Sequence, residues 1–478
     1  MPIRTLSGTD LTYALIVYDE NGAERAEPDG SEMSETVVKR LTDPAQPITD
    51  VFFTAHGWQG DVPAAIAQFD RWIGAVAAQD DDIAAARGRA GGFAPLIVGL
   101  HWPSLPFGDE AIPGGSGGLL SADGDAAAAD NSVDTWAQRI ADTPRARDAI
   151  RTILDAAGRP GSADAPPPAL VAAYKTLFDE SGLEAGGSAA PPGADQEGFD
   201  PAAIIAQSKS AAGTAPGAPK LLGLTDTIGG IFLSPLRQLS FWKMKDRARA
   251  FGESGAHELL ARLEIVAPKA RFHLMGHSFG CIVASATVAG PAGQPDLPRP
   301  VDSLFLVQGA LSLWSYAGDI PYAKGTAGYF HRIVEHGLVR GPIVTTRSTH
   351  DTAVGRFYPL GAQVRQQLVL DDALPAYGGI GSFGIQGLNG LVDMPMRPAA
   401  FRYGFRAGTI YNLEASDVIK NGGGASGAHS DIAHPEVAHA FWSAVLAAPT
   451  TPEATRSAPP PTTRSAPQPS AKPPGPGW

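Results

Sequence analysis

The chain is poor in cysteine, in charge and in long apolar runs. Cys281 is the one cysteine among 478 residues, so no intrachain disulfide can form, which fits a reducing compartment. Charged residues make up 18%, and the basic ones are the minority: 37 Lys and Arg against 49 Asp and Glu, a formal net charge of −12. Neutralising a phosphate backbone needs the opposite balance, so nucleic acid is not expected as a partner. No stretch reaches the roughly 18 apolar residues of a spanning helix. The N-terminal MPIRTLSGTDLTYALIVYDE lacks the charged, apolar and small-residue succession of a signal peptide. The expectation is a soluble, cytoplasmic protein with no integral membrane segment.

What is present is a rhythm of short apolar runs. Residues 11–18 (LTYALIVY), 51–55, 96–101, 271–275, 301–308, 342–346 and 409–413 are rich in Val, Ile, Leu or aromatics and are bounded by turn residues, as strands are. Several are apolar on both faces, which a parallel sheet covered by helices requires. Helical periodicity fills the gaps. Residues 63–78 place Ile66, Phe69, Ile73 and Val76 on one face, residues 241–266 do the same with Leu259, Leu260 and Leu263, and residues 435–447 begin with Pro. Alternating strands and helices predict an α/β fold with a mostly parallel central sheet flanked by helices.

Two regions interrupt the rhythm. Residues 104–240, rich in Ala, Gly, Pro and Asp, separate a strand from its helix and are expected to form a large cap insertion, partly flexible, with helical stretches at 134–156 and 168–181. Residues 448–478 are mostly Pro, Ser, Thr, Ala and Arg, with TRSAP repeated at 455–459 and 463–467, too polar to order themselves. The core is thus expected in residues 1–103 and 241–447.

The pattern G-x-S-x-G occurs twice, at Gly276-His277-Ser278-Phe279-Gly280 and at residues 114–118. Its chemistry requires a serine on a sharp turn between strand and helix. Ser278 follows RFHLM and precedes the compact apolar segment 281–289, so it meets the requirement; Ser116 follows no strand and reads as loop. Residues 379–384 (GIGSFG) match a dinucleotide fingerprint but lack the flanking strand and helix. A serine nucleophile needs a base, an orienting carboxylate and oxyanion donors. Asp351, in the loop after the strand at 342–346, is the expected acid, with Asp319 and Asp417 as rivals. His429, in a glycine-rich loop before the last helix, is the expected base, ahead of His434 and His439. The backbone N–H of Phe279, with Trp58 or Gly57 after the strand at 51–55, is the expected oxyanion hole. His56 and His277, beside these turns, are expected to contact substrate. Cys281 reads as a small buried helix residue, not a nucleophile.

These residues resemble the α/β-hydrolase superfamily. His56-Gly57-Trp58, then His101-Trp102-Pro103-Ser104, then GHSFG are similar to a bacterial group carrying H-G-aromatic, W-P-S and G-H-S-x-G. The resemblance covers roughly residues 50–445 without the insertion. It implies an α/β-hydrolase fold and a serine esterase or lipase mechanism on a small ester or acyl substrate, without metal or other cofactor. The substrate is open, since this fold hosts many chemistries. Residues 220–242, apolar and nearly uncharged, fit either a cover over a hydrophobic substrate or ordinary packing onto the sheet. Acyl transfer to an alcohol, or a non-catalytic interaction module with the Pro-rich tail as recruiting element, are the alternatives from other classes.

Overall fold

A computed structural model describes residues 3–57, 62–104, 133–158, 165–212, 231–354, 374–422 and 427–449. Every apolar run expected as a strand forms one: β2 (Thr12–Val17), β3 (Asp50–Ala55), β4 (Pro95–His101), β5 (Arg271–His277), β6 (Ser303–Val307), β7 (Ile343–Arg347) and β9 (Ile410–Glu414). Two further strands, β1 (Ile3–Thr5) and β8 (Val392–Pro395), were not expected. Both are short, largely exposed and at the sheet edges, so they carry no apolar signature.

These strands make one sheet in the order β1-β2-β4-β3-β5-β6-β7-β9-β8. Only β1 pairs antiparallel; each other described pairing is parallel. Strands β3, β5 and β6 are buried along their whole length, which explains why apolar residues fall on both faces of each rather than at alternate positions. The chain passes from β3 to its neighbour β4 on one side, and β5 flanks β3 on the other. The C-terminal ends of β3, β5, β6, β7 and β9 therefore share one edge. In open α/β sheets that edge, near the reversal of strand order, holds the ligand crevice.

Helices cover both faces. On one, Phe69, Trp72 and Ile73 of the Val62–Ala77 helix and Phe441 and Trp442 of the Pro435–Leu446 helix pack on Phe52 and Phe305. Burying Phe69 and Phe441 stabilises the fold by about 1.5–3 kcal/mol each. On the other face lie Met33–Thr42, Gly280–Ala289 and a long helical segment. That segment starts at Ser234, earlier than expected, and runs to Phe251, through a π-helical turn at Gly252–Ala256, and on over His257–Val266. The π-turn sets Gly252 against the Gly280–Ala289 helix, where a Cβ would stand 2.5 Å from Ala286 Cβ.

The expected helical stretch at 134–156 is two helices, Val133–Arg139 and Pro144–Gly158, and the one at 168–181 is Pro168–Glu180. Their Trp136, Ile150, Ile153, Tyr174 and Leu177 belong to the same buried cluster as Leu274 of β5. Of the apolar segment 220–242, residues 231–242 are described. Phe232, Leu233, Leu236, Leu239, Phe241 and Trp242 are all buried in that cluster. Among the described residues, no helix is long and apolar enough to cross a membrane. Ser116 and the tail from residue 450 lie outside the described residues.

The opposite edge of the sheet is held by charge. Asp50 opens β3 and takes two parallel hydrogen bonds from Arg271, which opens β5 (Nε to Oδ1 and Nη2 to Oδ2, both 2.8 Å). Arg89 Nη2 donates to Oδ1 at 2.8 Å, and His273 Nε2 lies 3.3 Å away. Burial alone would push the Asp50 carboxyl up; the hydrogen bonds from Arg271 and His273 and the charge of Arg89 outweigh it and hold it far below the usual range. Removing one member of such a cluster strands the others in low dielectric. Asp50→Ala is expected to lower stability by about 3–5 kcal/mol, measured by urea unfolding; a loss below about 1 kcal/mol would show that the cluster is solvated.

Candidate active site

Ser278 follows β5 directly and sits at φ +58°, a conformation that side chains other than glycine rarely adopt. The next residues, Gly280–Ala289, are helix. Three glycines make this reversal possible. A Cβ on Gly276 would stand 2.2 Å from Gly280 O, and one on Gly280 would stand 2.2 Å from Ala55 O at the end of β3. A Cβ on Gly57 would stand 2.7 Å from Ser278 Cβ. The turn after β3 is thereby pressed onto the serine.

Asp351 and His429 come from the loops after β7 and β9, and the two loops are joined. Asp351 and Gly427 form a bridge, Ala428 N donates to His350 O at 2.9 Å, and Gly427 turns at φ +58° with no room for a Cβ beside His350 O. Across this junction His429 Nδ1 donates to Asp351 Oδ2 at 2.8 Å. Asp351 Oδ1 accepts from Val354 N at 2.9 Å. The rival acids Asp319 and Asp417 are exposed. His434 stands at the N-cap of the last helix, and His439 inside that helix binds Asp82 (Nδ1 to Oδ2, 2.8 Å).

A cavity of about 190 Å³ opens beside the elbow, its wall including Gly57, Gln68, Arg71, Ser278 and His429. Two buried polar atoms in that wall, Ser278 Oγ and His429 Nε2, find no hydrogen-bond partner among the described residues. Buried polar groups are normally paired, so such atoms call for a reason.

His56 and His277 also line the cavity, but the structure commits their ring nitrogens internally rather than to substrate. His56 Nδ1 donates to Gly57 O at 2.7 Å, and its Nε2 meets His101 Nδ1 at 3.0 Å. Burial pushes His56 down to about 4, and it pushes His277 down to about 3 with help from the neighbouring His429, so both rings are neutral at pH 7. His277 Nε2 donates to His429 O at 2.9 Å and its Nδ1 accepts from Gln68 Nε2 at 2.7 Å. His277 thus ties the His429 loop to the Val62–Ala77 helix. Trp102 of the HWPS motif donates its indole N–H to His56 O at 2.9 Å, which holds the turn after β3.

Phe279 is the N-cap residue of the Gly280–Ala289 helix, with its ring buried against Phe241. Trp58 lies outside the described residues. Cys281 is buried in the same helix, and burial pushes its thiol well above the ordinary value.

One residue of this site was not expected. Gln308, the residue after β6, sits at φ +45° and is fully buried. Its amide donates to Asp351 Oδ2 at 2.9 Å and to Gly381 O at 3.2 Å, while its Oε1 accepts from Thr346 Oγ1 at 2.9 Å. Gly381 belongs to the GIGSFG stretch, and a Cβ there would meet Gln308 backbone at 2.8 Å. That glycine motif supports the glutamine. A glutamine after a strand carries no motif; a polar residue directly after the apolar run Leu304-Phe305-Leu306-Val307 is the one signal that marked it.

Comparison with protein-family models, with curated proteins and with solved structures returns no match. The geometry stands by itself.

Ser278 is unfavourable to the fold twice over, through its backbone angle and its unpaired buried hydroxyl. Ser278→Gly removes both, against the roughly 0.5–1 kcal/mol of extra unfolded-state freedom that glycine brings. A net gain of about 1 kcal/mol is expected, seen as a higher Tm by calorimetry. A lower Tm would mean that neither strain nor desolvation resides at Ser278.

Proposed function

We propose that the chain is a serine hydrolase of the α/β-hydrolase type, cleaving ester or related acyl bonds through an acyl-enzyme on Ser278. One observation carries this reading. Among the described residues, Ser278 Oγ and His429 Nε2 are the two buried side-chain atoms of the cavity wall without a partner, and the other nitrogen of that histidine is held by a buried carboxylate. A histidine tethered at Nδ1 and open at Nε2 is a base aimed at whatever lies beside it.

His429 Nε2 takes the proton of Ser278 as Oγ attacks the acyl carbon. The carbonyl π pair moves to oxygen, where backbone N–H groups at Phe279 and at Gly57 or Trp58 meet the charge. Asp351 holds the imidazole in the Nδ1–H tautomer and stabilises its cation. Collapse expels the alcohol, which leaves with the proton from His429. Water then attacks the acyl-enzyme, again giving its proton to His429, and the acid is released as Ser278 recovers its own. Gln308 acts through Asp351: its N–H shares the carboxylate oxygen that faces the imidazole, which fixes the plane of the acid.

Ser278→Ala is expected to abolish labelling by a neutral fluorophosphonate and to lower turnover of short-chain aryl esters by at least about a thousandfold. Undiminished labelling or turnover would sink the assignment. Gln308→Met should lower kcat by roughly 10–100-fold. KM should change little, since Gln308 acts on the acid and not on substrate. A KM that rises as far as kcat falls would leave Gln308 with a packing role alone.

A further inference from the structure

The cavity has one long wall that the reaction above does not use. It is a face of the Val62–Ala77 helix, on which Ala64, Ala67, Gln68 and Arg71 recur at the three- and four-residue spacing of neighbours. The alanines keep this wall low. Gln68 is spent on His277. Arg71 is exposed, and its guanidinium has no hydrogen bond or ion pair with the described residues. Asp70, next to it, is turned to Tyr13, whose hydroxyl donates to Oδ1 at 2.7 Å.

The surroundings make this cation stand out. Arg89, Arg271 and Arg340 each rest on a buried carboxylate. No Asp or Glu lines the cavity among the described residues, and Arg71 is the one Lys or Arg that does. Its charge reaches the reacting end, since it helps disfavour a proton on His277. In a chain of net charge −12, an uncompensated guanidinium in a pocket wall is a local reversal of sign. The planar fork of arginine matches a carboxylate with two parallel hydrogen bonds. At about 190 Å³ the cavity is also smaller than those that take drug-sized ligands.

We infer that Arg71 is the specificity determinant of this cavity and binds a carboxylate carried by a small ester or acyl substrate, a few bonds from the carbonyl that Ser278 attacks. The inference rests on the serine-hydrolase reading for its chemistry, though the anion subsite itself is separable from it.

The full chain is assayed with two pairs of esters that differ in charge alone. In the first, the carboxylate is on the acyl side: p-nitrophenyl hydrogen glutarate against p-nitrophenyl methyl glutarate. In the second, it is on the alcohol side: the butyrate ester of p-hydroxybenzoate against that of its methyl ester. The anionic member should have the higher kcat/KM in one pair, which tells where the carboxylate sits. Arg71→Met should lower that anionic-to-neutral ratio at least about tenfold, with the change in KM, and Arg71→Lys should restore part of it. Added salt should raise KM for the anionic ester only. Glutarate itself, which has no scissile bond, is titrated calorimetrically into the same proteins, and its Kd should rise at least about tenfold in Arg71→Met. Ratios at or below one in both pairs, or a ratio and glutarate affinity unchanged by Arg71→Met, overturn the inference. Fluorophosphonate labelling separates the two claims. Labelled Ser278 with no charge preference removes Arg71 alone. Arg71-dependent glutarate binding without labelling removes the serine chemistry and keeps the subsite.

Discussion

Everything at the C-terminal edge of the sheet depends on the absence of three β-carbons. Gly57, Gly276 and Gly280 stand where a single added carbon would collide with backbone or with Ser278. Parallel pairing of β3 and β5 aligns their ends, with Ala55 opposite Gly276, so the two turns that follow must share one small volume. Only glycine allows that approach, and the cost of the crowding is carried by Ser278 as a left-handed backbone. Strain of this kind persists where the surrounding structure over-determines it. Here the fully buried strands and helices on both faces supply that constraint.

Within this frame the polar groups saturate one another almost completely. The Asp351 carboxylate accepts from Val354, His429 and Gln308, three donors from three separate loops. His56 and His277 are kept neutral by burial and spend their nitrogens on positioning. A network satisfied to this degree has a unique arrangement, because moving any member leaves another unpaired in low dielectric. The two atoms outside the network, Ser278 Oγ and His429 Nε2, are conspicuous for that reason.

The sheet was legible because it is parallel and buried: a strand covered on both faces carries apolar residues on both, as Val51-Phe52-Phe53 of β3, Leu274-Met275 of β5 and Leu304-Phe305-Leu306-Val307 of β6 do. Strands β1 and β8 were illegible because a three- or four-residue edge strand needs no apolar face. The start of the Ser234 helix was missed because residues 234–240 (SPLRQLS) fall within the expected insertion; Pro235, in the first helical turn, is the signal that marks it. Ser278, Asp351 and His429 could be singled out because each occupies a loop after a recognisable strand; the structure sets Ser278 and His429 on one cavity and bonds His429 to Asp351. Gln308 could not, since its role exists only through contacts with residues about forty positions away or more. His56 and His277 line the cavity, and what the sequence does not tell is that their ring nitrogens are engaged internally.

The path from Gln68 through His277 to the His429 carbonyl has a consequence for how the site can change. It runs from the helix wall, across the elbow, to the backbone of the histidine loop. The helix wall that carries Arg71 and the loop that carries His429 therefore share one mechanical link. A shift of the helix by a fraction of an ångström pulls on the loop that carries the imidazole, and a shift of that loop pulls on the helix. The placement of the imidazole is then open to retuning from the helix wall, with Gln68 first among the positions that could do it.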